Sequence, residues 1–280
     1  MSTQVAKYID QLLTKPYLKP LIVGISGPQG LGKSYMVSHL LEHYRSTQPN
    51  LAVAGFLVDD FYLPRKQQEE VTEKAKSEEN EVLQGRGLPG THDVPFLLDV
   101  FKKLKAQEPV KIPRYDKSAF SGKGDRAPED TWQSFKNVDL VIMEGWFNGY
   151  RALEPGLFST AYFGQWPSSI VQKHKFYHLQ EVNEELAKFN PVWDAFDYFV
   201  FLDTDSTDSV YAWRQEQEEE LKRLKGSGMT KEQVVAFVDR YMPMYVLYYW
   251  RLCRGGTLTK GRNLRMRINE KREVLGIEVV

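Results

Sequence analysis

The sequence predicts an α/β fold built on a mainly parallel sheet, and two patterns predict it. Four short, nearly continuous apolar runs recur: Leu21 to Ser26 (LIVGIS), Leu51 to Val58 (LAVAGFLV), Val138 to Met143 (VDLVIM) and Tyr198 to Leu202 (YFVFL). Such runs mark strands buried on both faces, the habit of parallel sheets covered by helices. Between the first two, Tyr35, Met36, Leu40, Leu41 and Tyr44 fall at helical spacing. Strand, helix and strand then follow with tight connections, as in a right-handed crossover unit.

The remaining elements follow in order. Residues 5 to 13 read as a short amphipathic helix stopped before Pro16, within an N-terminal piece spanning 1–19. Residues 64 to 90 are charged and poor in apolar side chains, the composition of a mobile, solvent-facing excursion. A helix starts near Val94 with Leu97, Val100, Phe101 and Leu104 on one face; Val110 to Pro113 is extended, and a polar loop with glycines follows. Residues 152 to 177, rich in Gly, Pro and aromatics, carry no clear period. A helix around 178 to 189 leads into the fourth strand. Residues 207 to 225 form a strongly charged helix ended by Gly226-Ser227-Gly228. Thr230 and Gln233 make a capping box that opens a long helix through Val234, Val235, Val238, Tyr241 and Met242, kinked at Pro243. Residues 263 to 268 and 274 to 279 alternate around Asn269-Glu270-Lys271-Arg272, as a hairpin does. With no internal repeat and no Gly/Ser linker, 1–280 reads as one domain with insertions.

Composition excludes several classes. At 280 residues with 42% hydrophobic and 26% charged side chains, the chain suits a large folded core, not a disordered or fibrous protein. Lys plus Arg and Asp plus Glu each number 37, so no global field recruits nucleic acid or anionic membrane. No apolar stretch approaches the length of a spanning helix, and Lys7 and Asp10 interrupt the N-terminal segment where a signal peptide would be apolar. The single cysteine, Cys253, fits a reducing compartment and reads as a core filler at a helix end. The expectation is a soluble protein of the cytoplasm, with the nucleus also open to it, that needs no protein partner.

One motif carries chemistry outright. Gly27-Pro28-Gln29-Gly30-Leu31-Gly32-Lys33-Ser34 fits the phosphate-binding loop G-x-x-x-x-G-K-[ST] and lies between a buried strand and a helix, with Tyr35 next on that helix. Its backbone N–H groups and the helix N-terminus favour phosphate oxygens. Lys33 would reach the β- and γ-phosphates of ATP, and Ser34 would hold Mg²⁺. Glu144, leaving the Val138 to Met143 strand, occupies the position of a carboxylate that holds Mg²⁺ or contacts the acceptor. No Asn-Lys-x-Asp guanine reader is present.

The second strand ends in Val58-Asp59-Asp60-Phe61-Tyr62. Ligands of open parallel sheets bind at the carboxyl ends of the strands. A carboxylate there can take the proton of an attacking hydroxyl, although an acidic pair alone also suits a solvated turn. Further along, Arg86, Thr91, His92 and Asp93 lie in RGLPGTHD, and Arg114, Tyr115 and Lys117 in IPRYDKS. Asp93 or Thr91 could equally cap the helix beginning near Val94. Arg86, Arg114 and Lys117 converging would suit a small anionic acceptor. On the charged helix, Arg214 would close over the phosphates, while Arg223 pairs along the surface with Glu219.

Taken together, SGPQGLGKS, LVDDFYL, GRGLPGTHD, IPRYDKSAFSGKGDR, VIMEGW, WRQEQEEELK, GMTKEQVVAFVDRYMP and LRMRINEKREV resemble the phosphoribulokinase, uridine kinase and pantothenate kinase group of phosphate-loop kinases. Within it the chain is most similar to plant D-glycerate 3-kinase and fungal ATP-dependent kinases, from about Pro20 onward. The resemblance implies a three-layer α/β/α fold on a five-stranded, mainly parallel sheet, Mg²⁺ and ATP as donor, and transfer to a small-molecule hydroxyl. It places the catalytic carboxylate, as Asp-x-Phe, on Asp59, with Asp60 either ordering the loop or bound to Mg²⁺ through water. It makes 60–93 and 110–132 acceptor-side insertions, 205–228 a lid, and Arg86, His92, Asp93, Arg114, Tyr115, Lys117 and Glu144 the residues around the acceptor. The implied acceptor is a hydroxy acid such as D-glycerate. Alternatives are a nucleoside or pantothenate-like acceptor, or a nucleotide-binding regulatory protein without turnover.

Overall fold

A computed structural model describes residues 1–280 except 165–167 and 227. The chain opens with helix α1 (Ser2–Leu13), whose Val5, Ala6, Ile9 and Leu12 are buried. Strand β1 (Leu21–Ser26), helix α2 (Lys33–Thr47) and strand β2 (Val53–Leu57) follow as the sequence predicts, and β2 runs into a single 3₁₀ turn, Val58–Phe61. Next come α3 (Arg65–Ser77), α4 (Val94–Lys105), β3 (Val110–Ile112), β4 (Tyr115–Asp116), β5 (Asp125–Arg126), β6 (Gln133–Phe135) and β7 (Leu140–Gly145). Four helices, α5 (Pro155–Phe163), α6 (Ser169–Gln172), α7 (Phe176–Ala187) and α8 (Asn190–Trp193), precede β8 (Tyr198–Thr204). The chain ends with α9 (Ser209–Lys225), α10 (Lys231–Asp239), α11 (Met242–Met244), a π-helical turn at Tyr245–Tyr249, α12 (Trp250–Gly255) and the strands β9 (Asn263–Ile268) and β10 (Val274–Val279).

The main sheet has the order β10-β9-β8-β1-β7-β2, with helices on both sides. Five strands are parallel, and β10 adds a sixth, antiparallel one through the predicted hairpin. Every residue of β1 and β7 is buried, as their unbroken apolar character demands. Register fixes the site: Ile25 of β1 and Leu57 of β2 both lie level with Glu144 of β7. The carboxyl ends of the three strands therefore carry, side by side, the phosphate loop, Glu144 and Asp59.

Two sequence expectations need correction. The charged segment after residue 64 is not an excursion without structure; residues Arg65–Ser77 form α3. It buries little apolar surface, only Gln68 and Ala75 being fully covered, which is why its composition misleads. Polar bonds dock it instead: Lys74 pairs with Glu181 of α7 at 2.8 Å, and Asn80 donates to the same carboxylate at 3.0 Å. The long helix from Thr230 starts with the predicted capping box but stops at Asp239, before Pro243, and continues through α11 into the π-helical turn. Proline lacks the N–H that an uninterrupted helix needs. The unassigned 152–177 region contains α5 and α6, with 165–167 outside the described residues. Cys253 is buried and unpaired within α12. Among the described residues no helix is long and apolar enough to cross a membrane.

Candidate active site

The phosphate loop joins β1 to α2. Lys33, only 8% exposed, donates from Nζ to the Pro28 carbonyl at 3.0 Å. Burial lowers its pKa, against the pull of Glu144 and Asp59 nearby. Gly30 and Gly32 both take positive φ, +81° and +89°. The two serve different ends. A Cβ on Gly30 would lie 2.5 Å from Trp213 Cβ, so this glycine lets α9 pack on the loop. Beside Gly32 there is open space apart from the tip of Met1, as a loop that receives an anion requires. Gln29 donates its backbone N–H to the Tyr245 hydroxyl at 3.0 Å, and Arg272 donates to the Gly30 carbonyl at 3.1 Å. Trp213 donates to the Glu270 carbonyl, so the base of α9, the β9–β10 turn and the loop are tied together. Gly27, Pro28 and Leu31 are buried, and Tyr35 points outward at 71% exposure beside His39. Tyr245 belonged to no motif that could have marked it in advance, and Arg272, though within LRMRINEKREV, read only as part of a hairpin turn.

Ser34 donates from Oγ to Glu144 Oε1 at 2.6 Å. The other oxygen, Oε2, is buried with no hydrogen-bond partner, and burial raises the Glu144 pKa against the opposing charge of Lys33. A buried acceptor without a donor is an expensive arrangement in a finished structure and marks a place for a cation or a donor group. Among the described residues no cluster of three or more His, Cys, Asp or Glu could hold a metal by itself. That suits Mg²⁺, which keeps waters and takes phosphate oxygens beside one or two protein ligands.

Across from this pair, Lys117 Nζ lies 2.6 Å from Asp59 Oδ2, while Oδ1 is buried and unbonded. Burial pushes the Asp59 pKa up, but the charge and hydrogen bond of Lys117 outweigh it, and Asp59 stays below the usual carboxylate range. Asp59 in turn raises the pKa of Lys117. The Tyr62 hydroxyl also faces Asp59. His92, 6% exposed, packs its ring on Tyr62 at 4.5 Å and near Phe147 and Phe189. Burial brings its pKa down to about 4, so it is neutral at pH 7. Tyr115 stands edge-on to Tyr62 at 5.1 Å and beneath the Arg86 guanidinium.

Several candidate residues do other work. Asp60 is 2% exposed and accepts the backbone N–H of Leu57 at 3.0 Å and of Tyr115 at 3.3 Å, so it orders the turn and both oxygens are engaged. Asp93 caps α4 by accepting from Phe96 N at 3.1 Å and pairs with Arg126 at 3.1 Å. Arg86 donates to the carbonyls of Lys117, Gly122 and Lys123, holding the 117–123 loop rather than offering its charge outward. Arg214 pairs with the buried Glu218 at 2.9 Å and lies over the Phe237 ring, which joins α9 to α10. Arg223 pairs with Glu220, not Glu219. Arg114 lines a groove along the edge of β2, and its charge reaches Asp60. Each motif contained a true loop, but charge alone could not say which cation meets Asp59.

No family model matches the chain. It is 38% identical over 280 residues to the "Probable ATP-dependent kinase TDA10" of Saccharomyces cerevisiae, covering 96% of this chain and 91% of that one. It is 32% identical over 251 residues to the chloroplastic D-glycerate 3-kinase of Arabidopsis thaliana, spanning 88% of this chain and about half (51%) of that longer one. Among solved structures, the D-glycerate 3-kinase from Cryptococcus neoformans superposes with a TM-score of 0.87 at 32% identity, covering 100% of this chain and 99% of that one. With its loop, Glu144 and strand order in place, the chain belongs to the phosphate-loop kinases, in the group that includes these fungal and plant proteins.

Proposed function

We propose that this kinase transfers the γ-phosphoryl group of ATP to a hydroxyl of a small anionic hydroxy acid of the D-glycerate kind. The observation that carries the reading is the Asp59–Lys117 pair, whose charges act on Glu144 and Lys33 beside the Ser34–Glu144 bond. Asp59 is the base: its unbonded Oδ1 accepts the hydroxyl proton as the acceptor oxygen attacks the γ-phosphorus and the bond to the β–γ bridging oxygen breaks, releasing ADP. Asp59 is ionised at neutral pH because Lys117 holds its pKa down, so the base needs no prior deprotonation. Lys33 and Lys117 supply the positive charge that meets the transferring phosphoryl and the acceptor's carboxylate. Neutral His92, Tyr62 and Tyr115 form the wall against which a small, uncharged carbon skeleton packs. Ser34 Oγ and Glu144 Oε2 are the groups that would hold Mg²⁺, which neutralises phosphate charge when bound.

The glycerate assignment leans on the names of the plant and Cryptococcus relatives together with the cationic acceptor side. We place the activity in the cytoplasm. ADP release measured with D-glycerate, pantothenate and uridine as acceptors tests the substrate. Glycerate-dependent release well above the ATPase background is expected; release with uridine or pantothenate alone would move the acceptor to those classes. ATP binding without turnover on any hydroxyl acceptor would leave a nucleotide-binding protein.

A further inference from the structure

A second polar cleft lies outside the catalytic cluster, a groove of about 520 Å³ along the edge of the sheet. Its walls are the outer face of α2 (Leu41, Arg45), the unpaired edge of β2, and β6 (Gln133, Phe135), with Arg114 beside them. Among the described residues strand β2 ends the main sheet and β6 pairs with β3 alone. The volume falls within the usual range for small-molecule sites.

The lining of this groove carries two arginines, Arg45 and Arg114. Several other arginines have a carboxylate partner, as in Arg65–Glu69, Arg126–Asp93, Arg151–Asp194 and Arg272–Glu216. Arg45 and Arg114 make no such ion pair among the described residues, and no Asp or Glu lines the groove. Arg45 sits in the last turn of α2, where a cation also suits the helix dipole; that accounts for one guanidinium but not for the second. Arg114 lends its charge to Asp60, whose oxygens are already taken by backbone amides. Two arginines beside Leu41, Leu51, Val53 and Phe135 suit a dianion that carries a carbon group.

We infer that this groove is a binding site for a small organic phosphate monoester, separate from the phosphate loop and the Asp59 cluster. Arg45 and Arg114 hold the phosphate, Gln133 offers an amide, and Leu41 and Phe135 cover the carbon portion. The site touches both elements that carry the chemistry, since α2 begins at Lys33 and β2 leads into Asp59.

The test is calorimetric titration of the full chain with phenyl phosphate, after the catalytic cleft has been filled with Mg²⁺ and a non-hydrolysable ATP analogue. One further site is expected, and Arg45→Gln or Arg114→Gln weakens it by about tenfold each, as loss of a charge-assisted bond does. In the unaltered protein, the Nε–Hε resonances of Arg45 and Arg114 should move on titration. Absence of binding once the cleft is full, affinity indifferent to both substitutions, or shifts confined to other arginines would overturn the site.

Discussion

The two halves of the catalytic cleft are built in opposite ways. On the nucleotide side, eight consecutive residues, Gly27 to Ser34, make the cradle, and Glu144 joins them from the neighbouring strand in fixed register. On the proposed acceptor side, the pieces come from the end of β2, the 86–93 segment and the 114–126 loop, which meet through long-range contacts such as Lys117 to Asp59 and Arg86 to Lys123. A local motif needs only its own backbone geometry. A dispersed site must also hold its loops: Asp60 and Asp93 do so in the loop-ordering and capping roles that the sequence left open, and Arg86 does so through carbonyls of the 117–123 loop.

Breaking the acceptor half at its centre should have the largest effect. Asp59→Asn is expected to lower kcat by about 10²- to 10⁴-fold, the usual contribution of a general base, while ATP affinity stays within about twofold. Steady-state turnover beside equilibrium nucleotide binding checks the split; an Asn variant with full turnover would remove Asp59 as base.

Lys117→Met should be the next most damaging, with kcat/KM for the acceptor falling by roughly 10- to 100-fold. Its sharper readout is pH. Lys117 is what keeps the Asp59 pKa low against burial, so without it that pKa rises. Activity needs the ionised carboxylate, and the acid limb of the pH–rate profile therefore moves to higher pH. The same pair stabilises the fold between two limits. Its Asp59 contribution is present above the ordinary Asp pKa and lost as pH falls through the depressed one. Its Lys117 contribution is present below the ordinary Lys pKa and lost as pH rises through the raised one. An acid limb unchanged in the Met variant would mean that Lys117 does not tune Asp59.

Asp93→Ala tests the holding role. Losing the cap of α4 should destabilise the protein by about 1 kcal/mol, a Tm drop of about 2–4 °C, with little change in acceptor KM. Differential scanning fluorimetry and kinetics together decide it; a large KM change at unaltered Tm would return Asp93 to the acceptor site. The smallest effect is expected from Arg114→Gln, with acceptor KM within about twofold, because its guanidinium lies in the edge groove. A tenfold rise in KM would place Arg114 with Lys117 instead.

Legibility followed the same divide. The Thr230–Gln233 box, the hairpin at 263–279 and the strands around β1 were readable because each depends on neighbouring residues or on burial of an unbroken apolar run. Helix α3 was not, since it docks through Lys74, Asn80 and Glu181, a contact between segments about a hundred residues apart. The engagement of Arg214 by Glu218 had a visible i,i+4 spacing, but spacing could not tell a buried partner from a solvated one.

By itself, then, the sequence determined a parallel α/β sheet, a complete phosphate loop, and a carboxylate at the end of the second strand, because these rest on local conformation and periodic burial. Tertiary structure decided that Asp59 pairs with Lys117 while Asp60 is tied to backbone amides. It also decided that Lys117 meets Asp59, while Arg86 binds carbonyls of the 117–123 loop and Arg214 pairs with Glu218. A cation's role depends on which carboxylate or carbonyl the fold brings within about 3 Å of it, and that distance is set by packing across the whole chain.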